Sequence, residues 1–471
     1  MTTKKIIFYE LNEVSMEFIN RFTRAYPASS LSKILKKSES YKTLTSDEGH
    51  LSPWVTWPTL HRGVNNTKHR ISDFGQDLKD LNIKYPPFYE LIASQNIQTG
   101  IFGSIHSYPV PQDKNNYAFY IPDTFAETPE AHPKIYSDFQ KLNLQLTKKN
   151  GKNVSTKLPI LKTLVFLFKA PFMGLSFRTI KRSLIQILVE IFNKSRVVRR
   201  RTSQAQIAFD FFFNLLSQKK PACSTFFTNH VASAMHRYWP ATFPDDYVSF
   251  VMPEKWIKTY KDEIWFAMKE ADYQLGKLTK FISENPDFTL AISSSMGQSA
   301  VQESVKLSSM LMLKEPKKLF SFLGFDFRAC TQKMAMIPQY IFEFNSSSEL
   351  ISIIEKLKNI KIINQPIEFK IISAKTLRFT ILFPNFDLSC DSITYFNKKI
   401  HPSEIGLCNE IIQDETGTYA YHVPNGVLII YNGDGTYKTD KPILTTRIAP
   451  SLLRHFKIPI PEYMEKPLNL F

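Results

Sequence analysis

The sequence predicts an α/β protein built on an open, mostly parallel β-sheet. Short apolar runs at residues 5–11, 99–102, 224–228 and 288–293 have strand character, and each ends in a polar loop. Segments with helical spacing of apolar side chains alternate with these runs, as in βα units. Apolar residues make up 43% of the 471 residues. That share is enough for a large core and excludes a mainly disordered chain.

The elements of this core follow from local patterns along the chain. Residues 5–11 form the first strand, residues 15–22 and 30–37 are helical, and residues 43–45 form a short strand. Residues 46–72 are rich in Pro, Trp, His, Asn and Thr, which predicts a loop. Helices at 86–95 and 256–282 precede the strands at 99–102 and 288–293. A buried strand at 426–431 and a helix at 449–456 complete the core.

Two segments interrupt this alternation and are predicted to be insertions. Residues 141–201 form a basic helical insertion, and residues 329–403 form a small α+β insertion with strands at 340–344, 367–372 and 378–383 and a helix at 349–357. The core then consists of residues 1–140, 202–328 and 404–471.

The positive charge of the chain is local. Residues 148–220 hold 16 Lys and Arg against Glu190 and Asp210, so they carry +14 of the formal +16. Within them, an apolar stripe at helical spacing is flanked by cations. The stripe consists of Leu184, Ile185, Ile187, Leu188, Ile191 and Phe192. Two interpretations stay open: the helix lies on an anionic membrane surface, or it docks on the protein core with a solvated basic rim. Nucleic acid ranks last among the expected partners, because no recognisable nucleic-acid-binding module accompanies the charge.

Arg199, Arg200 and Arg201 form a compact cation cluster before a helical stretch at residues 204–216. Their guanidinium groups suit an anionic ligand, and a solvated helix start is the alternative.

Targeting and membrane signals are short or absent in the sequence. The apolar run after the first lysines is shorter than a secretory signal requires, and no run reaches the roughly 18 apolar residues of a membrane span. The four cysteines are far apart and form no CxxC pair. We therefore expect a cytoplasmic protein, with a peripheral position at the inner membrane face if the basic helix binds lipid.

Polar side chains cluster where predicted strands end. The segments are LNEVSMEFI (residues 11–19), LSPWVTWPTLHRG (51–63), TKHRISDF (67–74), NHVASAMH (229–236), SSSMGQ (293–298) and YHVPNGVL (421–428). The carboxyl ends of parallel strands meet at one edge of a sheet, so these segments are expected to form one site.

The order and spacing of these segments resemble the alkaline phosphatase superfamily, in particular its type I phosphodiesterase/nucleotide pyrophosphatase branch. Residues 53–63 are similar to the nucleophile segment of that family, with Thr56 before an aromatic–Pro pair, and residues 67–74 resemble its Gly-Lys-His motif through His69. His236 matches the histidine of its Asp…His element, and His422 that of its His-x-Pro-x-Gly motif. The two insertions are not covered.

The resemblance implies a three-layer α/β core with a mixed, mostly parallel sheet and two divalent ions that activate Thr56. Several implied ligand positions are changed: the first aspartate is Asn12, with Glu10 and Glu13 nearby, and the Asp-His pair is Ser295-Met296. The aspartate expected before His236 is Ser233 or Asn229. With His236, His422 and His230 or Asn229 remaining, one Zn, Mn or Mg ion is expected rather than two, and an ion-free site stays open.

Two functions remain open from the sequence. The first is a phosphoester or phosphodiester hydrolase, or a phosphoryl-group transferase, with Thr56 as nucleophile and cations such as Arg62, Arg70 and Arg237 assisting. Its substrate would be phosphorylated or otherwise anionic, for example a lipid-linked or envelope glycan intermediate. The second is an inactive relative that binds an anionic ligand or a membrane surface.

Overall fold

The computed structural model describes residues 3–74, 76–149, 170–248, 252–302, 309–333, 335, 339–411, 419–431 and 437–471. The helices are α1 (Met16–Ala25), α2 (Ser30–Leu35), α3 (Pro53–Arg62), α4 (Asn66–His69), α5 (Lys79–Lys84), α6 (Phe88–Ala93), α7 (Ser137–Lys149), α8 (Phe177–Phe192), α9 (Arg200–Lys219), α10 (His230–Thr242), α11 (Glu254–Tyr260), α12 (Glu263–Glu284), α13 (Pro316–Phe322), α14 (Ser347–Leu357) and α15 (Ile448–His455).

The strands are β1 (Lys5–Leu11), β2 (Ser38–Leu44), β3 (Thr99–Phe102), β4 (Tyr117–Ile121), β5 (Cys223–Thr228), β6 (Phe288–Ser294), β7 (Gly297–Ala300), β8 (Ser309–Leu313), β9 (Cys330–Lys333), β10 (Gln339–Phe344), β11 (Ile360–Ile362), β12 (Gln365–Pro366), β13 (Glu368–Ser373), β14 (Thr376–Thr380), β15 (Ile393–Tyr395), β16 (Lys398–Ile400), β17 (Leu407–Ile411), β18 (Ala420–Val423), β19 (Asn425–Tyr431) and β20 (Tyr437–Leu444).

A mixed eight-stranded sheet forms the centre of the molecule. Its strand order is β20-β2-β19-β6-β1-β5-β3-β4. Strand β19 runs antiparallel to its neighbours β2 and β6, and the other pairs are parallel. The carboxyl ends of β1, β5 and β6 therefore share one edge with the beginning of β19. The predicted α/β class with a mostly parallel sheet is confirmed.

Helices cover both faces of this sheet, which gives the expected three layers. Side chains alternate along β1, with Ile7 and Tyr9 in one apolar core and Ile6 and Phe8 in the other. The first core receives α1, α9, α10 and α12, and the second receives α3, α6 and α15. Since β1 is buried on both faces, its continuous apolar run is typical of a central parallel strand.

A separate apolar cluster lies in the region of the predicted small α+β insertion. It combines a sheet of order β13-β14-β10-β9, a sheet of order β12-β11-β15-β16, and helix α14. A capping box begins α14, because Ser346 accepts from the Glu349 backbone while the Glu349 carboxylate accepts from Ser346 N–H.

The prediction of a loop over residues 46–72 was wrong, since the chain forms helices α3 and α4 there. Pro53 occupies the first position of α3, where its missing N–H costs nothing, and Gly63 ends the helix with a left-handed φ of 65°. Pro58 lies inside α3 and leaves the carbonyl of Trp54 without a helical donor. Nε2 of His106 donates a hydrogen bond to that carbonyl at 2.9 Å.

The single long helix predicted at residues 256–282 is also corrected, because α11 and α12 are separate. The break leaves the Lys261 carbonyl free to accept a hydrogen bond from the Thr242 hydroxyl at 3.0 Å. None of the helices in the described ranges is both long and apolar enough to cross a membrane.

Candidate metal centre

Glu13 sits in the turn that follows β1 at the carboxyl edge of the sheet. Its backbone is left-handed, with φ 58°, which is uncommon for a residue other than glycine. The next residue, Val14, donates its N–H to the Ser294 hydroxyl at 3.1 Å and so links this turn to the end of β6. The Glu13 side chain is buried, with 4% of its surface exposed.

His236 lies in α10, which follows β5, and a proline determines how this helix meets the strand β18. Pro240 has no N–H to donate to the His236 carbonyl one turn earlier. The N–H of Tyr419 donates to that carbonyl instead, at 3.1 Å. The neighbouring Ala420 carbonyl then accepts from His236 Nδ1 at 2.6 Å. The free carbonyl in the helix therefore anchors the strand that carries His422.

His422 is placed by β18, which pairs with β7 so that His422 lies opposite Gln298. Its Nδ1 hydrogen-bonds the carbonyl of Leu51, just before α3, at 2.7 Å. Gln298 donates through Nε2 to the Glu13 carboxylate and, at 3.2 Å, to the carbonyl of Ala232. The antiparallel pair β7–β18 thus supplies one ring and one amide to the same carboxylate.

Two imidazole nitrogens and one carboxylate oxygen converge at this edge. His236 Nε2 lies 2.8 Å and His422 Nε2 lies 3.4 Å from Oε2 of Glu13. The potential donor atoms of Glu13, His236 and His422 all lie within 4.8 Å of one another. A tetrahedral Zn²⁺ with bonds of about 2.0–2.1 Å places its ligand atoms about 3.3 Å apart, which is close to these spacings.

The hydrogen bonds of the two rings favour a cation between these atoms. A backbone carbonyl only accepts, so each Nδ1 must carry the proton, and each neutral ring then has its lone pair on Nε2. Both lone pairs face a carboxylate oxygen, an arrangement that requires a metal ion or an added proton. An Nδ1–H donated to a carbonyl is also the usual outer-shell support of a metal-bound histidine.

The charges of the three groups depend on one another. Burial by itself would raise the pKa of Glu13, but the adjacent His422 and His236 outweigh it and hold that pKa well below its ordinary value. For His422, burial by itself would lower the pKa, but Glu13 and the Leu51 carbonyl outweigh it and raise that pKa above its ordinary value. In the absence of a metal, protonated imidazole thus stabilises the buried carboxylate.

Among the residues that the structure describes, one group of donor side chains could hold an ion, whereas the sequence resemblance implies a pair of ions. Asn12 is an amide, and it donates through Nδ2 to Glu13 Oε1 at 2.9 Å and to Asn229 Oδ1 at 2.7 Å. Its own oxygen accepts from Trp57 Nε1 at 2.8 Å. Asn12, itself held by Asn229 and Trp57, therefore orients the Glu13 carboxylate. Met296 is fully buried.

Thr56 belongs to the same network but has no exposed surface. It is the fourth residue of α3, and its hydroxyl contacts Ser295 Oγ at 2.8 Å and the Ser52 carbonyl at 3.2 Å. His422 Nδ1 hydrogen-bonds the carbonyl of Leu51, which precedes Ser52, so the start of α3 connects the Thr56 hydroxyl to the candidate metal centre. The structure brings Thr56 and Ser295 together, in contact with each other.

Three other predicted site residues are engaged elsewhere. Both ring nitrogens of His230 have hydrogen-bond partners, which are the Thr228 hydroxyl at 2.7 Å and the Ala267 carbonyl at 3.1 Å. Burial lowers the pKa of His230 to about 4. His69 bonds Thr59 Oγ1 at 2.9 Å. Buried Arg62 donates to Asn82 Oδ1 at 2.8 Å, and burial lowers its pKa. The structure does not bring His230, His69 or Arg62 to the metal centre.

The predicted anion-binding arginines also have protein partners. Arg199 donates to both carboxylate oxygens of Glu263 at 2.8 Å, and Arg200 donates to Glu190 at 2.6 Å. Arg237 donates to the carbonyl and the hydroxyl of Ser233 at 2.9 and 2.8 Å. Arg201 lines a small cavity with His230 and Glu263.

Sequence reasoning named Glu13 only as a neighbour of Asn12 and gave Gln298 no role. The signal for Glu13 was its carboxylate, one position after the expected aspartate. The position of Gln298 depends on the pairing of β7 with β18, which places it opposite His422. No local sequence pattern predicts that pairing. Glu10, the other carboxylate near Asn12 in the sequence, pairs with His61 at 2.7 Å and is not part of the group formed by Glu13, His236 and His422.

Comparison with solved structures finds likeness over nearly the whole chain. Mouse ectonucleotide pyrophosphatase/phosphodiesterase 5 aligns at 10% identity and a TM-score of 0.41, covering 98% of both chains. An inactive variant of that mouse protein in complex with AMP aligns at 9% identity and a TM-score of 0.41, covering 98% of this chain and 97% of that one. The human protein aligns at 9% identity and a TM-score of 0.39, with coverage of 98% and 97%.

No protein-family model matches the sequence, and no curated protein matches it. At TM-scores near 0.4, neither the activity in the name of these structures nor the AMP in one of them transfers to this chain.

Proposed function

We propose that this protein is a phosphoric ester hydrolase or phosphoryl-group transferase with a single divalent ion, preferably Zn²⁺, held by Glu13, His236 and His422. One observation carries the proposal: two Nε2 lone pairs, fixed by Nδ1–H bonds to carbonyls, face one carboxylate oxygen. Two histidines and a glutamate with an open fourth position form a known type of catalytic zinc site. The His236 side chain is 24% exposed, which gives the ligand set a solvent side.

The residues around the centre have distinct duties in this proposal. A divalent ion at these ligands polarises a phosphoryl oxygen and lowers the pKa of water. The carbonyls of Ala420 and Leu51 keep the two rings in the tautomer that binds metal. Asn12 donates a hydrogen bond to one carboxylate oxygen of Glu13, and Gln298 donates to the other. This support keeps the donors in place before substrate arrives.

Thr56 is the proposed nucleophile, since its helix begins where His422 is anchored. Its buried hydroxyl must first leave Ser295 before it can attack phosphorus. Water is the competing nucleophile. The two are distinguished by Thr56→Val, which removes the hydroxyl and keeps the shape of the side chain.

The test combines zinc content with turnover of a phosphodiester, a phosphomonoester and a sulfate ester of 4-nitrophenol. We compare the wild type with Thr56→Val and His422→Asn. Asparagine reproduces the Nδ1 side of histidine and deletes Nε2, so His422→Asn keeps the bond to Leu51 and loses the ligand. The exposed His401→Asn serves as the control.

We expect about one zinc per wild-type chain, turnover of a phosphate ester, and loss of both in His422→Asn only. Loss of turnover in Thr56→Val with zinc retained supports Thr56 as nucleophile, and full turnover in that variant assigns the attack to water. A zinc-loaded wild type that turns over none of the esters contradicts the enzymatic proposal.

The second candidate is an inactive relative that binds a phosphorylated ligand. The complete burial of Thr56 favours it. Calorimetric titration of the zinc-loaded protein with AMP and with inorganic phosphate tests this candidate: binding without turnover supports it, and absence of binding rejects it. A lipid-linked or envelope glycan substrate stays a prediction within the first function.

A further inference from the structure

Helix α8 turns three of its four charged side chains, Arg178, Arg182 and Glu190, toward the protein. Arg178 donates to both oxygens of Glu270 at 3.2 and 3.1 Å, and Arg182 pairs with the same carboxylate at 3.1 Å. Glu190, near the other end of α8, is buried and pairs with Arg200 of α9 at 2.6 Å. A helix that packs on a globular core ordinarily turns its apolar stripe inward. Helix α8 has the opposite orientation, because these three charged side chains face the protein.

The opposite side of α8 is apolar and exposed. We call it the apolar face of α8; its side chains are between 47% and 88% exposed. It consists of Phe177, Leu184, Ile185, Ile187, Leu188, Ile191 and Phe192. Phe172, just before the helix, is 81% exposed. The sequence alternative in which this stripe docks on the protein core is therefore wrong. An exposed apolar surface of this extent marks an interaction site.

The charge around this face indicates what it binds. Lys181 and Lys194 of the same region are exposed. In the sequence, residues 170–201 hold eight Lys and Arg against Glu190 as the one acidic residue. Apolar side chains flanked by cations match an anionic lipid surface, where the apolar groups enter the acyl boundary and the cations meet the headgroups. A second copy of this chain would bring the same positive charge, which disfavours self-association through this face.

We propose that the apolar face of α8 docks on the surface of an anionic lipid bilayer, with the helix axis in the plane of the interface. The ion pairs to Glu270 and Glu190 stay on the protein side, so docking requires no rearrangement of the helix. The proposal is independent of the metal centre and of the enzymatic function.

The test is co-sedimentation of the full chain with vesicles of phosphatidylcholine alone and of phosphatidylcholine with phosphatidylglycerol. The variant is Leu188→Gln, which removes an apolar side chain from the face without changing charge. The matched control is Ile351→Gln on α14, because Ile351 is 56% exposed and Leu188 is 57% exposed. Equal thermal unfolding midpoints establish that both variants fold.

We expect binding to the anionic vesicles, weakened about tenfold by Leu188→Gln and unchanged by Ile351→Gln. Higher salt is expected to weaken binding further, since the lysines act electrostatically. Two outcomes overturn the proposal: equal binding to neutral and anionic vesicles, and absence of vesicle binding by the wild type. In the second case, self-association that Leu188→Gln abolishes would assign the apolar face of α8 to a second copy of this chain.

Discussion

The backbone carbonyl of His236 accepts a hydrogen bond from the N–H of Tyr419 at 3.1 Å, in place of the helical bond that Pro240 cannot make. This contact holds β18 against α10, and β18 carries both the acceptor for His236 Nδ1 and the candidate ligand His422. Pro240, which has no reactive group, therefore helps to position the side chains of the candidate metal centre.

Replacement of this proline should weaken the site. In Pro240→Ala the new N–H competes with Tyr419 for the His236 carbonyl, and one hydrogen bond of about 1 kcal/mol corresponds to a loss of about fivefold in zinc affinity. Pro58→Ala is the control, because that proline frees a carbonyl for His106 in α3. Competition with a chromophoric chelator measures both affinities. Equal effects of the two variants would argue against the role of Pro240.

Zinc should stabilise the folded protein through its ligands. A ligand that binds only the native state adds about 2.7 kcal/mol to the free energy of unfolding at 100 times its dissociation constant. We expect zinc to raise the unfolding midpoint of the wild type and of His401→Asn, and to leave His422→Asn unchanged. Differential scanning calorimetry with chelator and with added zinc makes this comparison. A shift of the same size in His422→Asn would move the zinc site elsewhere.

Asn12→Asp should destabilise the metal-free protein although it restores the residue expected from the resemblance. The amide of Asn12 donates to Glu13 and to Asn229, and a carboxylate would replace both attractions with repulsion. The loss is about 1–3 kcal/mol. Urea unfolding in chelator measures it, with the exposed Asn115→Asp as control. A stability equal to that of the wild type would show that the amide protons do not hold Glu13.

Buried neutral histidines should make the protein sensitive to acid. Burial lowers the pKa of His69 from 6.5 to about 3, and Ile71 N–H donates to its Nδ1 at 3.0 Å, so protonation of that atom breaks a bond. Between these pH values the unfolded chain binds more protons than the folded one, so the free energy of unfolding falls as the pH decreases below 6.5.

The slope for one such histidine is at most about 1.4 kcal/mol per pH unit. Burial also lowers the pKa of His106 to about 3 and that of His230 to about 4, so the slopes add. Urea unfolding of His69→Asn between pH 4 and 6.5 should show a shallower dependence than that of His401→Asn. Parallel curves would refute the assignment of His69.

Removal of the carboxylate that holds α8 should cost more than removal of an exposed one. Glu270 is buried and accepts from Arg178, Arg182 and Gln206, so Glu270→Gln leaves two cations without their partner. We expect a loss of about 2 kcal/mol in the free energy of unfolding, below the 3–5 kcal/mol for fully buried pairs because both arginines are partly exposed. Glu254→Gln, in an exposed pair with Lys258, should change it by less than about 0.5 kcal/mol. Equal losses would contradict the anchoring role of Glu270.

The central elements were predictable because their signals are local. The apolar run of β1, the strand β6 and the helix α15 each contain their own pattern, and they fix the α/β class. Helix α3 was missed because its prolines and tryptophans are typical of loops. The contacts that make them compatible with a helix, such as His106 on the Trp54 carbonyl, come from elsewhere in the chain.

The sequence by itself determined which groups this protein can use: a hydroxyl at Thr56, imidazoles at His236 and His422, and an amide where a carboxylate was expected at Asn12. Tertiary structure decided which of them meet. It brings both imidazoles into contact with Glu13, buries the Thr56 hydroxyl in contact with Ser295, and exposes the apolar side of α8. The physical reason is that the chemistry of each side chain depends on that residue alone. A set of metal donors or an exposed apolar face depends on strand register and on packing between segments far apart in the chain.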